Sequence, residues 1–161
     1  MEQKTSRNSA DLKKIFRYMM ENGYYPTYEG NYILFDYKTN MTVLEYEDGI
    51  LSIRTFFTIN SEAADMFMQA SNFSMLECFM VKPAIMNDME SIMFSCETIC
   101  PNMRDFKRFF PRMLDLMDKG LECHKREMRR LLTITEKAQK KIPATDESFT
   151  VTGKSRGKQL S

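Results

Sequence analysis

The chain has no tryptophan, a single histidine and only six glycines in 161 residues, and each scarcity removes a class of chemistry. With so few glycines no Gly-rich phosphate loop is present, and no serine falls in a nucleophile-elbow pattern. The lone His124 is followed by no second histidine with which to share a metal ion. Long apolar runs are missing too, since none approaches the roughly 20 residues that a membrane-spanning helix needs. Nor does one sign of charge dominate. The 23 basic and 22 acidic residues leave a formal net charge of +1, too little for a global field that draws in nucleic acid or an anionic membrane.

What is present suits one domain with an ordinary hydrophobic core, for which disulfides and metals are optional. The opening "MEQKTSRNSADLKK" is polar and lacks the apolar core of a signal peptide, so a cytoplasmic protein is expected, with its four cysteines as reduced thiols. Fifteen methionines are the most unusual count. Methionine fills irregular cores or forms adaptable binding surfaces.

Leu12, Ile15, Phe16, Met19 and Met20 recur at the spacing of one helical face, with Ser9 as N-cap and Gly23 as stop. "NYILFDY", "MTVLEY" and "ILSIRTFFTI" then read as a three-stranded antiparallel meander, its second turn at Asp48-Gly49. In the third of these strands Leu51, Ile53, Phe57 and Ile59 alternate with Ser52, Arg54 and Thr58. That strand predicts one buried and one wet face. The first strand is apolar on both sides, at Tyr32 and Leu34 as well as Ile33 and Phe35. The terminal helix or a second subunit is expected to cover part of the outer face.

Asn60 or Ser61 caps a second helix with the stripe Ala63, Met66, Phe67, Ala70 and Phe73. Strands "LECFMVKPA" and "ESIMFSCETI" follow, joined across Asn87-Asp88, and Asn102 caps a last helix. The stripe of that helix, from Phe106 through Phe109, Phe110, Met113, Leu114, Met117 and Leu121, is the strongest periodicity in the chain. Pro111 within it predicts a kink or a fresh helix start. Leu114, Met117, Leu121, His124, Met128 and Leu131 continue it as a heptad-like seam. The expected organisation is a flexible stretch 1–8, a single domain 9–141 and a mobile polar tail 142–161. Its fold class is α+β, helices packed on an antiparallel sheet in the order α-β-β-β-α-β-β-α.

The run "FMQASNFSMLECFMVKPAIMNDMESIMFSCETICP" resembles the YbjN family, described as candidate bacterial sensory transduction regulators with a fold like that of type III secretion chaperones. In that family a helix ending in an Ala-x-Asn run leads to a hairpin whose second strand reads apolar-Phe-Ser-apolar-Glu, and a long helix follows. Here Ala70, Ser71 and Asn72 match the first element and Met93 to Glu97 the second, with Cys96 in the apolar place. The resemblance spans about residues 9 to 135 in element order. It implies a cytoplasmic, often dimeric, non-enzymatic binding or chaperone-like domain and carries over no catalytic residue. The many methionines and the lysine-bearing tail depart from it.

Cys96 and Cys100 pose the sharpest chemical question. On a helix they lie one turn apart and can share a metal; on a strand they stand about 13 Å apart. The alternation Ile92, Phe94, Cys96 favours a strand with a buried free thiol. Cys123 and His124 are adjacent, and adjacent helical side chains diverge by about 100°. His124 therefore reads as a packing residue or a weak pH-sensitive contact, although a dyad with Cys78, Cys96 or Cys100 stays open. The basic residues Lys125, Arg126, Arg129, Arg130, Lys137, Lys140 and Lys141 are interleaved with Glu122, Glu127 and Glu136, a pattern of local ion pairs more than of a phosphate track.

No catalytic residue, cofactor or metal ligand is assigned. The expected role is a non-enzymatic, chaperone-like or regulatory protein-interaction module, a homodimer accepting a peptide or protein client. A nucleic-acid regulator using the basic helix and tail is the alternative. Interface candidates are Tyr32, Leu34 and Phe56 on the outer sheet face, with Met117, Leu121, His124 and Met128 on the helical seam.

Overall fold

The computed structural model describes residues 2–78 and 80–139, with backbone alone for residues 2–10 and Gln139. The tail expected from residue 142, and Lys140 and Lys141 before it, lie outside the described residues. Helix α1 spans Glu2–Glu21, so the N-cap expected at Ser9 falls inside it. Leu12, Ile15 and Met19 form its buried stripe, while Met20 is half exposed. Gly23, at φ +78°, ends the helix as expected. Tyr24 N–H reaches back to the Met19 carbonyl and Gly23 N–H to that of Met20, the paired closure that a left-handed glycine permits.

Six strands follow: β1 (Thr27–Glu29), β2 (Tyr32–Tyr37), β3 (Asn40–Glu47), β4 (Ile50–Thr58), β5 (Lys82–Ile85) and β6 (Ser91–Ile99). They form one antiparallel sheet in the order β1-β2-β3-β4-β6-β5. The meander thus has four strands, one more than the sequence predicts. Strand β1 escapes sequence reading because it follows Pro26 and its three residues are all exposed, leaving no alternation to detect. It is held by pairing to β2 and by Tyr28, whose ring stacks on Phe16 of α1 at 4.2 Å. Asp48 and Gly49 both take positive φ, as the expected turn demands.

A single 3-10 turn, Ser61–Ala63, leads into helix α2 (Ala64–Glu77), and Asn60 accepts a hydrogen bond from Glu62 N–H. Leu76 and Glu77 belong to this helix, so the strand expected from Leu76 starts only at Lys82. Between β5 and β6, Asp88 accepts from Glu90 N–H, Ser91 N–H and the Ser91 hydroxyl. Asn102 then caps helix α3 (Met103–Gln139) by accepting from Asp105 N–H. This 37-residue helix is about 55 Å long and continues through Pro111 with no new start. The proline ring is exposed, and buried Phe110, Met113 and Leu114 bind both sides of it to the core.

All three helices contribute to one core on a single face of the sheet. Ile33, Leu44, Ile53 and Cys96 lie in register across β2, β3, β4 and β6, buried beneath Ile15, Met19, Phe106, Phe110 and Leu114. Helix α2 lies beside α3 and buries small residues, Ala64, Ala70, Ser71 and Ser74, whereas Phe73 of the expected stripe is exposed under Arg130. Small side chains there let two helices approach closely. The architecture is the α+β class the sequence predicts, and no described helix is long and apolar enough to cross a membrane.

Candidate functional site

Because strand side chains alternate, burying Ile33, Phe35, Leu44 and Ile53 turns Tyr32, Leu34, Val43, Arg54 and Phe56 to the opposite face. No helix of the described chain covers that face. Tyr32 is 41% exposed, Phe56 43%, Met41 61% and Ile99 76%, with Leu34, Val43 and Met93 half-buried among them. The terminal helix, one of the two expected covers, packs on the core side instead. Such a run of apolar groups on an open sheet marks an interaction surface better than a catalytic one.

Its centre is polar. Arg54 lies 2.9 Å from Glu45 and 3.9 Å from Glu97, and Lys82 lies 3.6 Å from Glu97. Those two carboxylates flank Ser52 across the ladder. The ion pairs thus roof the Ser52 hydroxyl, which is buried and has no hydrogen-bond partner.

The helical seam behaves differently from the sheet face. Met117 and His124 are both 97% buried within the chain, and Leu121 and Met128 are half-buried. His124 stacks against Phe67 of α2 at 5.8 Å and meets Phe94 of β6 edge-on at 5.1 Å. Its Nε2 is 3.2 Å from the Ser71 hydroxyl and 3.4 Å from the Phe67 carbonyl. Burial pushes its pKa below the usual imidazole range, a shift opposed by the Phe67 carbonyl. Of the seven interface candidates, Tyr32, Leu34 and Phe56 share an open surface, while Met117 is taken up in the core and His124 in joining α3 to α2 and β6. The heptad signal is real, and its partner is α2 of the same chain.

Cys96 faces the core from β6 and Cys100 lies at the strand exit, both buried, before Pro101 and the Asn102 cap. Burial pushes each thiol up to about 11, with the Cys78 and Glu97 charges adding to it at Cys96 and Asp105 at Cys100. Thiols held so far toward the neutral form are poor nucleophiles. His124 finds a serine and a carbonyl, and no cysteine, at its Nε2.

Tyr28, Met41, Ile50 and Ile99 are apolar exposures that the sequence reading did not single out. Period-two alternation places Met41, Ile50 and Ile99 outside, but only the pairing register shows that they share one face.

No protein-family model matches this chain, and no curated protein matches it. Its fold is similar to that of YbjN from E. coli, described as a candidate transcription regulator: TM-score 0.58 at 9% identity, covering 72% of this chain and 93% of that one. It is similar also to an uncharacterized protein from Methanothermobacter thermautotrophicus, with TM-score 0.54 at 11% identity, covering 74% of this chain and 98% of the other. At such identities the likeness is one of fold. The YbjN-like architecture expected from the Ala70 and Phe94 motifs is present, and the motif residues have structural work: Ala70 and Ser71 are buried on α2, Phe94 and Cys96 face the core, and Glu97 faces out.

Proposed function

We propose that this chain, YbjN-like in fold, is a non-catalytic regulatory module that docks protein partners, a second copy of itself among them, through the open face of its sheet. The observation that carries the reading is the concentration of exposed apolar residues on the one sheet face that no helix covers. The regulatory half draws support from the description of the E. coli structural neighbour as a candidate transcription regulator. A chaperone-like role is the same surface with an extended client polypeptide laid on it. A cytoplasmic location belongs to this reading, as the compartment in which such a regulator works.

The test is oligomeric state and capture together. Wild-type protein should run as a dimer in light scattering at micromolar concentration, and Leu34→Asp with Phe56→Asp should yield a monomer with an unchanged circular dichroism spectrum. A monomeric wild type at high concentration, retaining no polypeptide in pull-downs, would sink the proposal.

The nucleic-acid reading is weaker on geometric grounds. Of the basic residues at 125 to 130, Lys125 is paired with Glu122, Arg126 with Glu77 and Arg130 with Glu127. Cations already neutralised release few counterions, so binding to bulk DNA should be slight and should lack a steep salt dependence.

A further inference from the structure

A groove of about 560 Å³ opens between the end of α2 and the middle of α3, away from the open sheet face. Leu116 and Met80 form apolar lining, and two of the four thiols, Cys78 and Cys123, open onto it. These are the half-buried pair; Cys96 and Cys100 are enclosed. Cys123 stands one helical turn from Lys119 on one side and from Arg126 on the other, with Arg129 a further turn-step along the lining. Glu77 binds Arg126. Among the described residues Lys119 and Arg129 form no ion pair within 4 Å, while Glu122, which also lines the groove and is paired with Lys125, feels the Arg129 charge, so the thiol-lined concavity carries a small excess of cations.

We propose that this groove is a thiol-exchange site, at which Cys123 is modified by a small anionic disulfide of the glutathione class. The thiolate of Cys123 attacks one sulfur of the disulfide, forming a protein mixed disulfide, and the second half leaves as a free thiolate. Cys123 gives up its proton to solvent, and the incoming disulfide is itself the oxidant. Lys119 and Arg129 attract the carboxylates of the incoming molecule, while the groove has room for the retained half. Cys78 is the poorer attacker. Its thiol lies 4.0 Å from the Leu116 carbonyl, and burial, then the neighbouring Cys123, push its pKa up.

The full chain, folded and reduced, is incubated with oxidised glutathione and mapped by peptide mass spectrometry. One glutathione should appear on Cys123, persisting in Cys78→Ser and absent in Cys123→Ser, with Cys96 and Cys100 unmodified. Lys119→Gln with Arg129→Gln should slow the reaction roughly fivefold, the order that exposed charge contacts can supply. The same variant should react at the wild-type rate with neutral hydroxyethyl disulfide. An adduct chiefly on Cys78, an internal Cys78–Cys123 disulfide with nothing retained, no adduct at all, or equal rates for the charge variant and wild type with oxidised glutathione would each overturn the proposal.

Discussion

At the scale of single residues, His124 shows how one position joins packing to pH. Its ring fills the space between Phe67 and Phe94 and has a neutral hydrogen-bonding partner in Ser71. Burial lowers its folded pKa below the ordinary 6.5. Below pH 6.5 the unfolded chain therefore takes up a proton that the folded chain refuses. The stability this neutral histidine contributes is present above 6.5 and is lost as pH falls toward the folded pKa. His124→Gln, which keeps a polar group near Ser71 and cannot titrate, should flatten that part of the profile. Urea midpoints at about pH 7.5 and about pH 5.5 check it, since imidazole titration is the change expected in that window. An equal fall in both proteins would assign the loss to other groups.

At the scale of elements, the contact between α3 and the segment leading into β5 is set by a missing side chain. A Cβ on the buried Gly120 would lie 2.6 Å from Val81 Cγ1. In an exposed helix Gly→Ala gains about 1 kcal/mol. Here the overlap should win, with a net destabilisation of about 1–3 kcal/mol, the usual range for overpacking. Adding Val81→Ala to Gly120→Ala should recover only part of that loss, because it removes both Val81 methyls but leaves the Val81 Cβ, which would still lie 2.7 Å away. Denaturant midpoints of the two variants measure both effects. The same closeness explains why α2 offers Ala70, Ser71 and Ser74 to α3 and leaves Phe73 outside.

At the scale of the whole molecule, the two faces of the sheet should respond oppositely to substitution. Phe94 is buried among core residues reached by α2 and α3, and Phe94→Ala should cost about 3–5 kcal/mol. Met41→Ser, on the open face, should change unfolding free energy by no more than about 0.5 kcal/mol. Chemical denaturation in dilute solution separates the two. If Met41→Ser proved as costly as the core change, the open face would be part of the folding core and the docking proposal would lose its basis.

Local physics was enough to read much of this protein from its sequence. The apolar stripes of α1 and α3, the Asp48-Gly49 turn, the Asn102 cap and the inward Cys96 all follow from periodicity or capping chemistry acting within a few residues, whereas Asn60 caps only the short 3-10 turn and α2 itself starts after Ala63 with no side-chain cap. The short strand β1 carries no such signal, because all three of its residues are exposed and it is defined by pairing to β2 and by the Tyr28–Phe16 stack, both at a distance in sequence. The end of α2 is not legible for a related reason: apolar residues beyond Ser74 suit a helix or a strand equally until a neighbour is known. Which partner meets an apolar stripe is also decided at a distance. The same heptad spacing serves a second subunit or a second helix, and here α2 meets it at His124 while the core takes Met117. The open sheet face likewise exists only in three dimensions, because it depends on all three helices lying on the other side.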